Sequence, residues 1–215
     1  MNQFQINILD HLFFHWTSCL TCFFIDLYLF QTQKWEKYKF NNFRIPDEIF
    51  NVINLVIFNQ IFITFPLLYL MGEYKEGDFL IFENIYKIPF AIVVEEILFF
   101  TTHKILHFPF FYKHIHKIHH TWNHPMGISA TYAHPLEHLF SNILPIIISA
   151  KIAMLNYNTL RFFHISIIIN TVLVAHSGFK NKFTEFHDLH HTKFNYNFGA
   201  IGLMDKIFKT DYNSR

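Results

Sequence analysis

The chain is poor in charge, in thiols and in spacer sequence, and each shortage excludes something. Charged residues make up only 15% of its 215 residues, against about 25% in a typical soluble domain. The 17 basic and 16 acidic residues nearly cancel, so no basic surface points to nucleic acid as a partner. The only cysteines, Cys19 and Cys22, stand as C-x-x-C inside an apolar, aromatic run, with no second pair to complete a zinc shell. They read as two small buried residues, with no disulfide framework and a reducing environment. There is no internal repeat and no Gly/Ser- or Pro-rich linker, which fits one compact unit. Residues 1–7 carry no Lys or Arg, so no secretory signal pattern is visible.

Apolar residues are what the chain has in excess: 52% of the total, with 29 Phe. So little charge cannot clothe such a surface in water, and a bilayer removes the difficulty. A spanning helix needs about 20 mostly apolar residues. Ile49 to Gly72 is uncharged throughout, its Asn51, Asn54, Asn59 and Gln60 being tolerable if they face neighbouring helices. Further spans are expected from about Ile8 to Phe30, from about Ile85 to Phe100, and in a hairpin of Leu139–Leu155 and Leu160–Ala175 turning at Asn156, Tyr157 and Asn158. Segments 31–48, 103–128 and 176–215 hold four, three and six Lys/Arg, 13 of the 17. The positive-inside rule therefore places all three in the cytosol, the other side keeping few basic residues, chiefly Lys75 and Arg161. The expected fold is an all-α integral-membrane bundle of about four to five spans.

Fourteen of the 16 His lie between His103 and His191, and eight form three tight groups. These are His103 and His107 (H-x-x-x-H), His116, His119 and His120 (H-x-x-H-H), and His187, His190 and His191 (H-x-x-H-H). Positions i, i+3 and i+4 share one helix face, so each group aims its imidazoles to one side. Random placement yields roughly a tenth of an H-x-x-H-H per chain, so two are not an accident. Eight imidazoles are too many for one ion and suit two with open positions, which oxygen chemistry uses and structural zinc does not. Iron is the expected ion. The assumed topology brings all three groups, and His134, His138 and His176 at the ends of the hairpin, to the cytosolic face.

In this order the groups resemble the three histidine boxes of the fatty acid hydroxylase/sterol desaturase superfamily, over roughly residues 95–212. Tyr112–His120 (YKHIHKIHH), Ala130–Glu137 (ATYAHPLE) and His176–Gly178 (HSG) are most similar to C-4 methylsterol monooxygenases, and Phe194–Gly199 (FNYNFG) also resembles C-5 desaturases. The segment between His176 and His187 is about half the length usual for methylsterol oxidases, with Lys180 where an acid is common.

The resemblance implies residues 1–84 as N-terminal spans and 85–215 as the catalytic region, set in the endoplasmic reticulum membrane. It implies His103, His107, His116, His119, His120, His187, His190 and His191 as ligands of two non-haem irons, with His134 and His176 as further ligands. The implied activity is O2-dependent hydroxylation or desaturation of a lipid, a sterol first, with C-5 desaturation or fatty acid hydroxylation as alternatives. Electrons would come from cytochrome b5 or from NAD(P)H through a reductase. A metal-binding membrane protein or transporter is the reading from a different class. His138 is expected beside the site, His114 and His124 near it without binding metal, and His11, His15 and His164 as hydrogen-bonded membrane-interior residues. Glu95, Glu96, Glu137 and Asp205 are expected to orient ligands, and Asp188 to lie on a solvated face.

Overall fold

The computed structural model describes residues 1–40, 47–71, 77, 81–123 and 125–214. Arg44, Lys75, His124 and Arg215 of the sequence reading lie outside the described residues. All regular structure among the described residues is helical, apart from one isolated bridge between Lys39 and Phe179.

Three helices are long and apolar enough to cross a membrane: α1 (Gln3–Gln31), α2 (Ile49–Met71) and, named ahead of its place in the chain as α5, Tyr157–Ala175. Their outward faces are apolar, with Phe13, Phe24, Phe62 and Phe162 each more than half exposed, which suits lipid and not water. This is the surface of an integral membrane protein. Two other expected spans form helices without meeting that standard. α3 (Ile81–Leu106) carries Glu83, Lys87, Glu95, Glu96 and Lys104, and α4 (residues 135–152) has 18 residues, roughly 27 Å. They pack against each other, with Ala91 and Ala150 fully buried; small residues let helix axes approach closely.

The helix ends follow local chemistry. Asn2 and Gln5 form a capping box at the start of α1. Asn156 accepts from Thr159 N at 2.9 Å, so α5 begins at Tyr157, inside the tripeptide expected to form the turn. The polar residues of α2 divide by depth. Asn59 donates to Ala133 O (2.8 Å) and Gln60 lies between His15 and Trp16, whereas Asn51 and Asn54, near the start of the helix, are exposed. Three π-helical turns, Gln60–Thr64, His138–Ile143 and Thr171–Ala175, insert an extra residue where buried polar groups must face inward, a frequent use of this distortion.

A cap covers one end of the bundle. It contains the 3-10 helices His116–Thr121 and Gly127–Thr131, then α6 (Lys182–Lys193) and α7 (Leu203–Phe208). Segment 35–40 closes onto it. Lys39, with its side chain fully buried, pairs with Asp26 of α1 at 2.6 Å, donates to Ser177 O and lies 3.6 Å from the Phe179 ring centroid.

Candidate metal centre

Nine histidines converge under the cap in two adjoining clusters. His103, His107, His116, His120 and His190 form one; His119, His176, His187 and His191 form the other. Within each, one nitrogen per ring lies within 4.8 Å of all the others. Box one has His103 on the last turn of α3 and His107 just beyond its end, box two sits on the 3-10 helix and box three on α6. The second box is not α-helical as expected, His120 having φ −80° and ψ 22°. Boxes two and three each supply both clusters, so neighbouring residues such as His119 and His120, or His190 and His191, face different ones. The clusters touch: the rings of His120 and His191 are 4.5 Å apart between centroids.

Backbone carbonyls set the tautomers. His103 Nδ1 lies 2.7 Å from Phe198 O, His190 Nδ1 2.7 Å from Tyr196 O, and His176 Nδ1 2.9 Å from Thr171 O. His119 and His191 meet Tyr132 O and Trp122 O at 3.3 and 3.2 Å, and His116 meets Glu137 Oε1 at 2.8 Å. A carbonyl oxygen only accepts, so the Nδ1 atoms of His103, His119, His176, His190 and His191 carry the ring proton and their Nε2 atoms present bare lone pairs. Yet the bare Nε2 atoms of His119 and His176 face each other at 3.5 Å, that of His103 lies 3.1 Å from His116 Nε2, and His116 Nε2 is itself 3.0 Å from those of both His107 and His120. Lone pairs at that spacing repel unless a cation lies between them. Two nitrogens held about 2.1 Å from one metal at right angles are about 3.0 Å apart. The donor set therefore fits two metal ions, both on imidazole alone. Cys19 and Cys22, buried beside Gly127 and Val172, take no part.

Burial keeps the rings neutral and ready to bind. Desolvation lowers His119 from its ordinary value to about 4, and His176, with His119 adding to the effect, to about 3. Groups whose folded pKa is depressed bind fewer protons than in the unfolded chain, so stability is full above the unfolded value near 6.5 and falls as pH drops below it. The metal-free protein in detergent is accordingly expected to show a thermal midpoint that is flat above about pH 7 and declines steadily toward pH 5. A midpoint independent of pH over that range would show these rings to be solvated.

Among the expected orienting acids, only Glu137 touches a ligand ring in the structure. Glu96 and Asp205 instead hold the backbone that holds His103. Asp205 accepts from Phe198 N and Gly199 N (2.8 and 2.7 Å), and Glu96 accepts from Ala200 N, Ile201 N and Met204 N (2.7, 2.9 and 3.1 Å). Gly199 lies between the two carboxylates: a Cβ there would stand 2.4 Å from Glu96 Oε1 and 2.9 Å from Asp205 Oδ2. Gly199→Ala is expected to displace the Phe198 carbonyl and free His103. The loss of metal affinity should be about 10- to 100-fold, measurable by chelator competition.

The other expected site residues fall elsewhere. His134 caps the 135–137 turn, accepting from Leu136 N at 3.2 Å, outside both clusters. His114 is exposed and bonds Phe110 O. His138 turns away to Thr64. Asp188, expected on a solvated face, is only 5% exposed, because α6 is covered on the side bearing it. The anchoring carbonyls of Phe198, Tyr196, Thr171, Tyr132 and Trp122 escaped the sequence reading, since any residue supplies a carbonyl.

A helical membrane protein with paired all-histidine sites at one end of its spans belongs to a narrow class, and comparison with known proteins gives the family. The fatty acid hydroxylase model matches residues 88–210, and the chain belongs to that family, one of membrane-embedded, lipid-modifying oxidoreductases. It is 35% identical over 183 residues to fatty acid hydroxylase domain-containing protein 2 of Macaca fascicularis, covering 77% of this chain and 53% of that one. It is 30% identical over 232 residues to a provisionally named methylsterol monooxygenase of Dictyostelium discoideum, covering 97% and 84%. A C-4 methylsterol oxidase of Schizosaccharomyces pombe is 29% identical over 151 residues, covering 60% and 48%. The chain spans about half the length of the first of these relatives. No solved structure matches it.

Proposed function

We propose that this chain is a membrane-bound non-haem di-iron oxygenase that hydroxylates or desaturates a lipid. The observation that carries the reading is the convergence of Nε2 atoms in two touching clusters, with His103 and His116 at 3.1 Å and His119 and His176 at 3.5 Å. His103, His107, His116, His120 and His190 would hold one ion, and His119, His176, His187 and His191 the other. Two irons on neutral imidazoles would supply the reduction of O2 and the oxidation of an unactivated C–H bond.

The chain's own contribution is orientation and exclusion of water. Carbonyl anchors preset five of the nine rings, so these reorganise little on binding. A cavity of about 710 Å³ runs from His103, His119, His176 and His187 into the bundle between largely apolar walls, a size usual for ligand sites. A lipid reaching the metals through it leaves bulk water behind. Residues 1–84 would serve as spans walling this cavity, and 85–215 as the catalytic region. The clusters sit under a cap at the end of the spans, whereas a transport path would hold its ligands along the bundle.

A sterol is the substrate class favoured by the resemblance and by the names of two of the relatives. Cytochrome b5, or NAD(P)H through a reductase, would supply electrons at the cytosolic face of the endoplasmic reticulum, the side on which the positive-inside rule would put the Lys/Arg-rich segments of the cap. The deciding experiment is metal analysis of the purified chain with O2 uptake and lipid product analysis under a chemical reductant. Two irons and an oxidised lipid are expected; zinc without O2 consumption would refute the reading.

A further inference from the structure

A second group of histidines lies deeper in the bundle, apart from the nine. His11 and His15 stand one turn apart on α1, His138 comes from α4 and His164 from α5. The ring of His11 stacks against those of His15 and His164, with centroids 5.8 and 5.5 Å apart. His15 bonds Thr131 Oγ1 at 2.9 Å and Gln60 Nε2 at 3.1 Å, and His138 bonds Thr64 Oγ1 at 2.8 Å. His11 differs. It is only 3% exposed, and neither ring nitrogen has a partner. A polar group left so deep in apolar surroundings is costly unless something satisfies it.

All four of these histidines line the same cavity that reaches the metal centre. His164 on α5 and His176, which directly follows that helix, both line it, twelve residues or roughly 18 Å apart along the axis. The rest of the lining is mostly apolar, with Ile92, Ile143, Ile146, Phe163, Ile167 and Val172, but it also includes Glu95, Ser166, Asn170 and Thr171. The cavity thus carries a histidine layer within the bundle, a mostly apolar lining and the rings of the metal centre under the cap. Parallel stacking of His11 on His164, at 15° between planes, does not aim their lone pairs at one ion, so a third metal site does not fit.

We propose that the layer around His11 binds the hydroxyl group of the lipid substrate, holding its oxygen in the membrane interior and presenting the remote end of its apolar body to the nine-histidine centre. A neutral imidazole offers one donor and one acceptor, matching a hydroxyl. A carboxylate or phosphate would need a cation, but the lysines lining the cavity, Lys182 and Lys206, stand on the cap elements α6 and α7. Arg161 is engaged by Asp10 on α1 and does not line the cavity. The proposal rests on the lipid-oxygenase reading and narrows it. A sterol held this way turns its side-chain end to the metals, whereas a C-4 methyl lies beside the ring hydroxyl and would leave the His11 layer unfilled.

The test compares alcohols with matching hydrocarbons on the full chain in detergent, with affinity read from ligand-induced thermal shifts. The pairs are 1-hexadecanol with hexadecane and cholestanol with cholestane. At least one alcohol should bind about tenfold tighter than its hydrocarbon, the effect of one satisfied buried hydrogen bond. The ratio should fall to about one in His11→Phe and persist in His11→Gln, with metal content unchanged in both. Equal affinity within both pairs in the wild type, or a ratio untouched by His11→Phe, would overturn the proposal. Palmitate binding tighter than 1-hexadecanol would overturn the choice of an uncharged hydroxyl. If His11→Phe does not fold, the wild-type pairs and His11→Gln decide. Failure of the metal-loaded protein to oxidise any lipid, with alcohol selectivity intact, would sink the oxygenase reading and leave the subsite standing.

Discussion

The His190→Ala protein is expected to purify with about one metal ion per chain in place of two and to turn over at least about a hundredfold more slowly. His190 is the only contribution of box three to the five-imidazole cluster. Its Nε2 stands 3.2 Å from that of His107 and 3.1 Å from that of His120, while its Nδ1 is fixed by Tyr196 O. His187, three residues earlier on the same helix, belongs to the other cluster. His187→Ala should therefore deplete the opposite ion, with a similar loss of turnover. Because both ions would act as one unit, the double variant should be little worse than either single one. Elemental analysis of the three proteins checks this directly. Retention of both ions in His190→Ala would remove the five-imidazole cluster as a metal site.

Lys39→Met is expected to destabilise the protein by about 3–5 kcal/mol, because it strands the buried Asp26 without its partner. The Lys39 side chain is fully buried and that of Asp26 is 12% exposed, with 2.6 Å between them. Lys39 also donates to the carbonyl of Ser177, immediately after the clustered His176, so the substitution should loosen the four-imidazole cluster as well. Replacing both members, Asp26→Leu with Lys39→Met, removes the stranded charge and should recover most of the stability. It should not recover metal affinity, since Ser177 O still lacks its donor. Thermal midpoints and chelator competition on the single and double variants separate the two effects. A double variant no more stable than Lys39→Met would show that the pair is not the cause.

Several features were legible because their signals are local. Box spacing of three and four residues is a statement about one stretch of chain, and it picked out eight of the nine clustered histidines. The apolar runs likewise marked α1, α2 and α5. Signals failed where a residue's role depends on what faces it. His134 and His176 looked equal in sequence, but the turn at Pro135 uses His134 as its cap while the π-helical end of α5 delivers His176 to the centre. Glu96 and Asp205 were read as partners of imidazoles, and the structure gives their oxygens to the 198–204 backbone. The Lys39–Asp26 pair had no sequence signature, because its members are 13 residues apart and meet only when segment 35–40 folds back against the 177–179 turn.

The sequence by itself determined that this is an apolar helical membrane protein with more boxed histidines than one metal can use, since composition and short-range spacing suffice for both. Only the tertiary structure decided how the imidazoles divide, five and four, and which carbonyls fix five of the rings. It also decided that His11, His15, His138 and His164 meet deep in the cavity. The physical reason is that a metal set or a binding pocket is defined by convergence of atoms from separate helices, and helical spacing constrains directions within one helix only.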